Sequence, residues 1–159
     1  MIDIGVIGDK GGLLTKMLKH IHPNAIIKAI NKQHTEQKYD IIVIDEAAEL
    51  ANLNGGGQIS ADITLLNTDS RSCGKQGAKI EPGQIITYGM GGKSCITASS
   101  IGEGSISICI QRILFAPSGT PIMPQELVSE YKDDYGSIHA QLGAYACGAI
   151  CGIFNRVAE

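Results

Sequence analysis

Residues 4–16, IGVIGDKGGLLTK, decide how the rest of the chain is read. An apolar run ends in glycine, a glycine-rich turn follows, and a helical pattern begins at once. Ile2 to Ile7 reads as a buried strand. Leu13 to His20 reads as a helix, with Leu14, Met17, Leu18 and Ile21 at helical spacing and Pro23 as its stop. This is the layout of a phosphate-binding loop, where backbone N–H groups and a helix N-terminus converge on an anion. The candidate nucleotide-binding residues are therefore Gly8, Asp9, Lys10, Gly11, Gly12 and Thr15.

A complete loop of this kind places a lysine on the outer phosphates and a Ser or Thr hydroxyl on Mg²⁺. Gly12 and Leu13 stand in those places, the loop is one residue short, and Lys10, Thr15 and Lys16 are out of register. Asp9 puts a negative charge at the mouth, which repels phosphate. Two readings stay open: a tight strand-to-helix turn that needs glycine for its backbone angles, and a weak anion site without hydrolytic ability. The turn is the simpler of the two.

Working outward, Ala25 to Ile30 reads as a second strand, and IIVID after a polar segment is the strongest strand signal in the chain. Strand, crossover helix and wholly apolar strand imply a parallel sheet covered on both faces. IIVIDE also sets Asp45 and Glu46 at the C-terminal edge of a central strand, where open α/β sheets bind ligands. Acids placed there can hold Mg²⁺ directly or through water, so both are candidate metal ligands. The competing reading is a solvated acid at a strand end.

Farther on, EAAELANL reads as a helical fragment running into the turn GGGQ, Ile63 to Leu66 as a strand, and TDSRSCGKQGAKIEPGQ as a loop. IITYG, SCITASSI and SISICIQRIL are short and β-branched, separated by GMGGK and GEG, and predict antiparallel hairpins. SIHAQLGAYACGAICGIF predicts a long small-residue helix with Ile138, Leu142, Tyr145, Ala149 and Ile153 along one face. The expected fold is one α/β domain over residues 1–159. It has a mostly parallel sheet flanked by helices and an antiparallel β-hairpin insertion in the second half.

Composition bounds the function. With 159 residues, 43% hydrophobic and 18% charged, the chain has the make-up of a folded domain. A net charge of -3, a pI near 5.8 and 4% aromatics argue against nucleic acid as a partner. The N-terminal residues do not read as a signal peptide, and no stretch approaches the roughly 18 apolar residues of a membrane helix. A cytoplasmic location without membrane contact is expected. Five cysteines, Cys73, Cys95, Cys109, Cys147 and Cys151, then read as reduced thiols.

Cys147 and Cys151 are four apart, on the same helical face as His139 and Gly143. That spacing can hold a metal, but buried packing explains it more simply. Cys73 is the thiol expected at the surface, with Arg71 and Lys75 near enough to lower its pKa. His20 and His22 flank a helix end, where a dipole interaction accounts for them.

With these pieces in order, the chain resembles the ATP-binding central domain of the Mur ligases, the family that includes folylpolyglutamate synthase and cyanophycin synthetase. VIGDKGGLLTKML is similar to the family's short loop, G-T-[NK]-G-K-[ST]-[ST], directly after a first strand. DIIVIDEAAEL resembles the strand whose glutamate serves Mg²⁺, with Glu46 as the match. LLNTDSR, ITYGMGGKSCITASSI and SIHAQLGAYACGAI resemble three further pieces: a strand ending in Asn and acid, a Tyr-Gly turn followed by A-x-x-I, and a helix that begins with His.

The departures bear on activity. Gly12 replaces the loop lysine, and Leu13 and Leu14 replace its hydroxyls. The family's metal-binding histidine and modified lysine have no match between Glu49 and Ile63, and Ala140 rather than Asn follows His139. The resemblance covers neither the family's N-terminal substrate domain nor its C-terminal amino-acid domain. It implies a stand-alone, degenerate central domain without ligase activity, acting as a binding or interaction module toward a protein partner or a second copy. A mean hydropathy of +0.07 is compatible with self-association. The alternative is an ATP-dependent ligase-type subunit that binds ATP through Gly8 to Thr15 and Mg²⁺ through Asp45 or Glu46. A third reading, a small-ligand site around GMGGKS, has its glycines and Lys93 in its favour.

Overall fold

Strand β1 (Asp3–Ile7) leads through a tight turn at Lys10–Gly12 into helix α1 (Leu13–Ile21). The computed structural model describes residues 1–30, 37–47, 49, 59–70, 80–131 and 137–152. Leu14, Met17 and Leu18 form the buried face of α1, each stabilising by roughly 1.5–3 kcal/mol through the apolar area it removes from water. After α1 come β2 (Ile26–Ala29), β3 (Gln37–Ile44), β4 (Ile59–Asn67) and β5 (Ile80–Tyr88). Then follow β6 (Ile96–Gly102), β7 (Ser105–Ile110), β8 (Leu114–Phe115), β9 (Pro121–Ile122), β10 (Gln125–Glu130) and helix α2 (Ile138–Ile150).

Eight strands form one sheet in the order β10-β7-β6-β5-β4-β3-β1-β2. From β2 to β6 every pairing is parallel, whereas β6–β7 and β7–β10 are antiparallel. The chain is thus an α/β protein with a mostly parallel sheet, and β8 and β9 form a separate antiparallel hairpin. Both described helices pack on one face, where Ile4, Val6, Ile41, Val43, Ile63, Leu65, Ile86 and Tyr88 share a core cluster with them. The opposite face buries a second cluster around Ile7, Tyr39, Ile42, Ile44 and Ala61. Among the described residues no helix of eight or more residues covers that face.

Three sequence expectations need correction. IEPGQ is strand rather than loop, because β5 begins at Ile80 and runs beside β4. The step from β5 to β6 is not a hairpin. These strands are parallel and overlap only at Tyr88↔Ile96, so β6 starts where β5 ends and GMGGK needs no crossover. SISICIQRIL is two elements, split between Ile110 and Leu114.

Helix α2 also differs from a one-faced helix, since every residue from Ala140 to Ile150 is buried. Its alanines and glycines allow neighbours on all sides, and a helix apolar all round belongs in a core. At Gly143 a Cβ would stand 2.9 Å from the Tyr88 hydroxyl. The Tyr145 hydroxyl donates to the Glu130 carbonyl and ties α2 to the end of β10. Ile153, Cys73 and most of EAAELANL lie outside the described residues.

Candidate functional site

β1 pairs with β2 on one side and β3 on the other, so the chain reverses its direction of winding between β1 and β3. At such a switch point the two loops leaving the strand ends part and open a crevice. Gly8 and Asp9 follow β1 there, and Asp45 and Glu46 follow β3. Register brings the neighbouring ends level, with Ile7 opposite Ile44, Ile44 opposite Leu66, and Asn67 opposite Tyr88. The structure therefore gathers the candidate loop and the candidate acids at one sheet edge.

The loop glycines differ in surroundings. Gly8 has φ +77, and a Cβ there would stand 2.6 Å from the Glu46 Cβ and 2.7 Å from its backbone N, so the two loops touch through a missing side chain. Gly11 and Gly12 have nothing within 4 Å of a Cβ position. Gly12, at φ 71, is the residue that enters α1. Lacking a side chain, it cannot cap the helix, and Asp9 does so instead. Asp9 Oδ1 accepts from Leu14 N at 2.9 Å, and Oδ2 accepts from Thr15 N at 2.8 Å and from the Thr15 hydroxyl at 2.6 Å. The helix N-terminus is thus bonded to a carboxylate of the chain itself, which also engages the one hydroxyl of the loop. Lys10 and Lys16 are exposed.

Asp45 and Glu46 are adjacent in sequence but face different partners. Asp45 Oδ1 accepts from the Tyr88 hydroxyl at 2.7 Å and from Asn67 Nδ2 at 3.4 Å, while Asn67 Nδ2 also donates to the Asp45 carbonyl at 3.0 Å. Burial pushes the Asp45 carboxyl above its usual range, and the Asp9 charge adds to this against the partial relief from Tyr88, His139 and Asn67. Burial and the Asp45 charge together hold the Tyr88 phenol well above its ordinary value, so it remains a donor. Glu46 Oε1 accepts from the Ser70 hydroxyl at 2.7 Å, and Ser70 in turn accepts from Ala47 N at 3.1 Å.

The same edge holds residues that sequence reasoning did not place in a site. His139 Nε2 stands 2.8 Å from Asp69 Oδ2, which also accepts from Met90 N at 2.7 Å. Desolvation alone would raise the Asp69 carboxyl, but the Met90 and His139 bonds outweigh it and hold the group below its usual range. Thr68 Oγ1 lies 2.8 Å from Ser94 Oγ and links the strand end to the GMGGK turn. The available signal was the cluster Asn67-Thr68-Asp69-Ser70 directly after an apolar strand. Its partner at His139 is 70 residues away and carries no local mark.

Chemically the edge is acidic, with Asp9, Asp45, Glu46 and Asp69 around a buried phenol and one imidazole. Among the described residues, Asp45 and Glu46 belong to no three-ligand cluster of His, Cys and acids. No described helix is long and apolar enough to cross a membrane. No protein-family model matches the chain, and no curated protein does.

Proposed function

We propose that this chain is a Mur-ligase-like central domain without ligase chemistry, working as a binding or interaction module. One observation carries this reading: the Asp9 carboxylate takes the hydrogen bonds of Leu14 N, Thr15 N and the Thr15 hydroxyl, donors that a phosphate loop offers to its nucleotide. A ligase has to neutralise the transferring phosphoryl group with a lysine and metal ions. In this loop Gly12 stands in the lysine's place and a carboxylate lies in the anion's.

A second reading, a ligase-type subunit binding Mg·ATP, draws on the contact of Gly8 with Glu46, which sets the loop against an acid able to serve Mg²⁺. Calorimetric titration with Mg·ATP separates the two. The first expects no heat at millimolar nucleotide. Micromolar binding that weakens in Glu46→Ala would replace it with the second.

A further inference from the structure

The two helices start at the acidic edge and run, on one face of the sheet, to its opposite edge. His22 closes α1, its backbone N–H bonded to the Leu18 carbonyl at 2.7 Å, and Cys151 closes α2 with a bond to the Cys147 carbonyl at 3.1 Å. The helices pack side by side, so these ends meet. A ring nitrogen of His22, Cys147 Sγ and Cys151 Sγ all lie within 4.8 Å of one another. His22 is only 6% exposed, and its Nε2 has no hydrogen-bond partner. Buried cysteines are commonly plain core packing. That accounts for the two sulfurs but not for a buried imidazole beside them with one ring nitrogen unpaired, since buried polar groups are nearly always paired.

We propose that His22, Cys147 and Cys151 form a site for one thiophilic divalent cation of the zinc class. Two thiolates and an imidazole are the donors such an ion prefers, and three protein ligands leave a fourth position for water. Ligands on a tetrahedral ion with bonds of about 2.0–2.3 Å stand roughly 3.5–3.8 Å apart. The observed spread closes to that distance through small side-chain rotations. Both helices direct their negative C-terminal ends at the site, which favours a cation. The Asp40 charge acts on Cys151 from the sheet side and has the same sense.

Burial pushes the His22 pKa down, so the ring is neutral and its lone pair free to ligate. The dipole interaction expected for this histidine requires an imidazolium and does not explain it. Cys147 donates its S–H to Cys151, and binding the ion would release that proton. His139 to Cys151 spans twelve residues of helix, roughly 18 Å, so this site is separate from the acidic edge and independent of the function proposed for it.

Cobalt(II) and zinc(II) are the probes, added to the reduced, metal-free full chain. One equivalent of cobalt should give thiolate-to-metal charge-transfer absorption and the visible bands of a tetrahedral ion, and zinc should bleach both. Losing a group that merely hydrogen-bonds a metal ligand already costs roughly 10–100-fold, so Cys151→Ser and His22→Gln should each weaken zinc by about 100-fold or more. Cys151→Ser should also reduce the charge-transfer intensity, whereas His22→Gln should keep it. If a variant does not fold, the unsubstituted chain still decides: saturating zinc should protect Cys151, the less buried of the two thiols, from a thiol reagent. Cobalt bound without thiolate absorption, zinc affinity unchanged in the variants, or no thiol protection would each overturn the proposal.

Discussion

His139 Nε2 and Asp69 Oδ2 are 2.8 Å apart and join the first turn of α2 to the end of β4. The depressed Asp69 pKa makes this a pH-dependent contact. A carboxylate whose folded pKa lies below its unfolded value stabilises above the unfolded pKa, and that contribution is lost as pH falls through the folded one. Asp69→Asn should therefore lower stability at neutral pH by about 1 kcal/mol, given a partly exposed pair. It should also flatten the acid limb of a plot of melting temperature against pH. An unchanged acid limb would remove Asp69 from the account.

Asp45 carries the opposite sign. Its folded pKa is raised, so its contribution is present below the unfolded carboxylate pKa and is lost as pH rises through the folded one. Asp45→Asn retains an oxygen for the Tyr88 hydroxyl while removing the buried charge. The variant should melt higher than the parent at neutral pH, and the gain should vanish below about pH 4. A lower melting temperature at neutral pH would contradict this.

Asp9→Ala should cost about 1–2 kcal/mol, the range for losing an N-terminal helix cap. Thr15→Val removes only the hydroxyl bond and should cost less. Urea unfolding of the three proteins reads both effects. Equal costs would place the weight on the hydroxyl rather than on the capped N–H groups.

Gly8→Ala and Gly12→Ala form a matched pair. Both positions have positive φ, yet a Cβ at Gly12 meets nothing within 4 Å whereas one at Gly8 lies 2.6 Å from the Glu46 Cβ. The left-handed backbone alone costs roughly 1–2 kcal/mol for alanine. Gly12→Ala should stay near that figure, and Gly8→Ala should exceed it by about 2 kcal/mol or more through the displaced Glu46 loop. Similar midpoint shifts in denaturant would show that the loop yields freely.

The elements legible from sequence were those whose local pattern and tertiary surroundings agree. Leu14, Met17 and Leu18 at helical spacing and the apolar run Ile41–Ile44 marked α1 and β3 within a few residues. IITYG was legible as strand, but the first half of β5 was misread because Pro82 and Gly83 signal a loop. From Ile80 to Thr87, however, this strand pairs among the described residues with β4 alone, and a strand open on one side tolerates a proline. The parallel start of β6 was hidden for a related reason, since strand direction after a short glycine turn depends on an offset that only the assembled sheet sets. At the site, Asp45 and Glu46 were visible as a strand-end pair, but Asp69 with His139 and His22 with the two cysteines are joined only by folding. The charge of Asp9 was plain from sequence; that it turns inward to cap α1 was not.

That capping has a kinetic and competitive meaning. On the proposed reading the Asp9 carboxylate would act as an inhibitor carried on the same chain, five and six residues from the N–H groups it engages. A tethered group acts at an effective concentration on the order of millimolar even on a flexible linker, and this linker is a tight turn. A free nucleotide arriving at α1 must therefore outcompete an anion that never diffuses away, and any nucleotide that succeeds must first leave Asp9 without its helix.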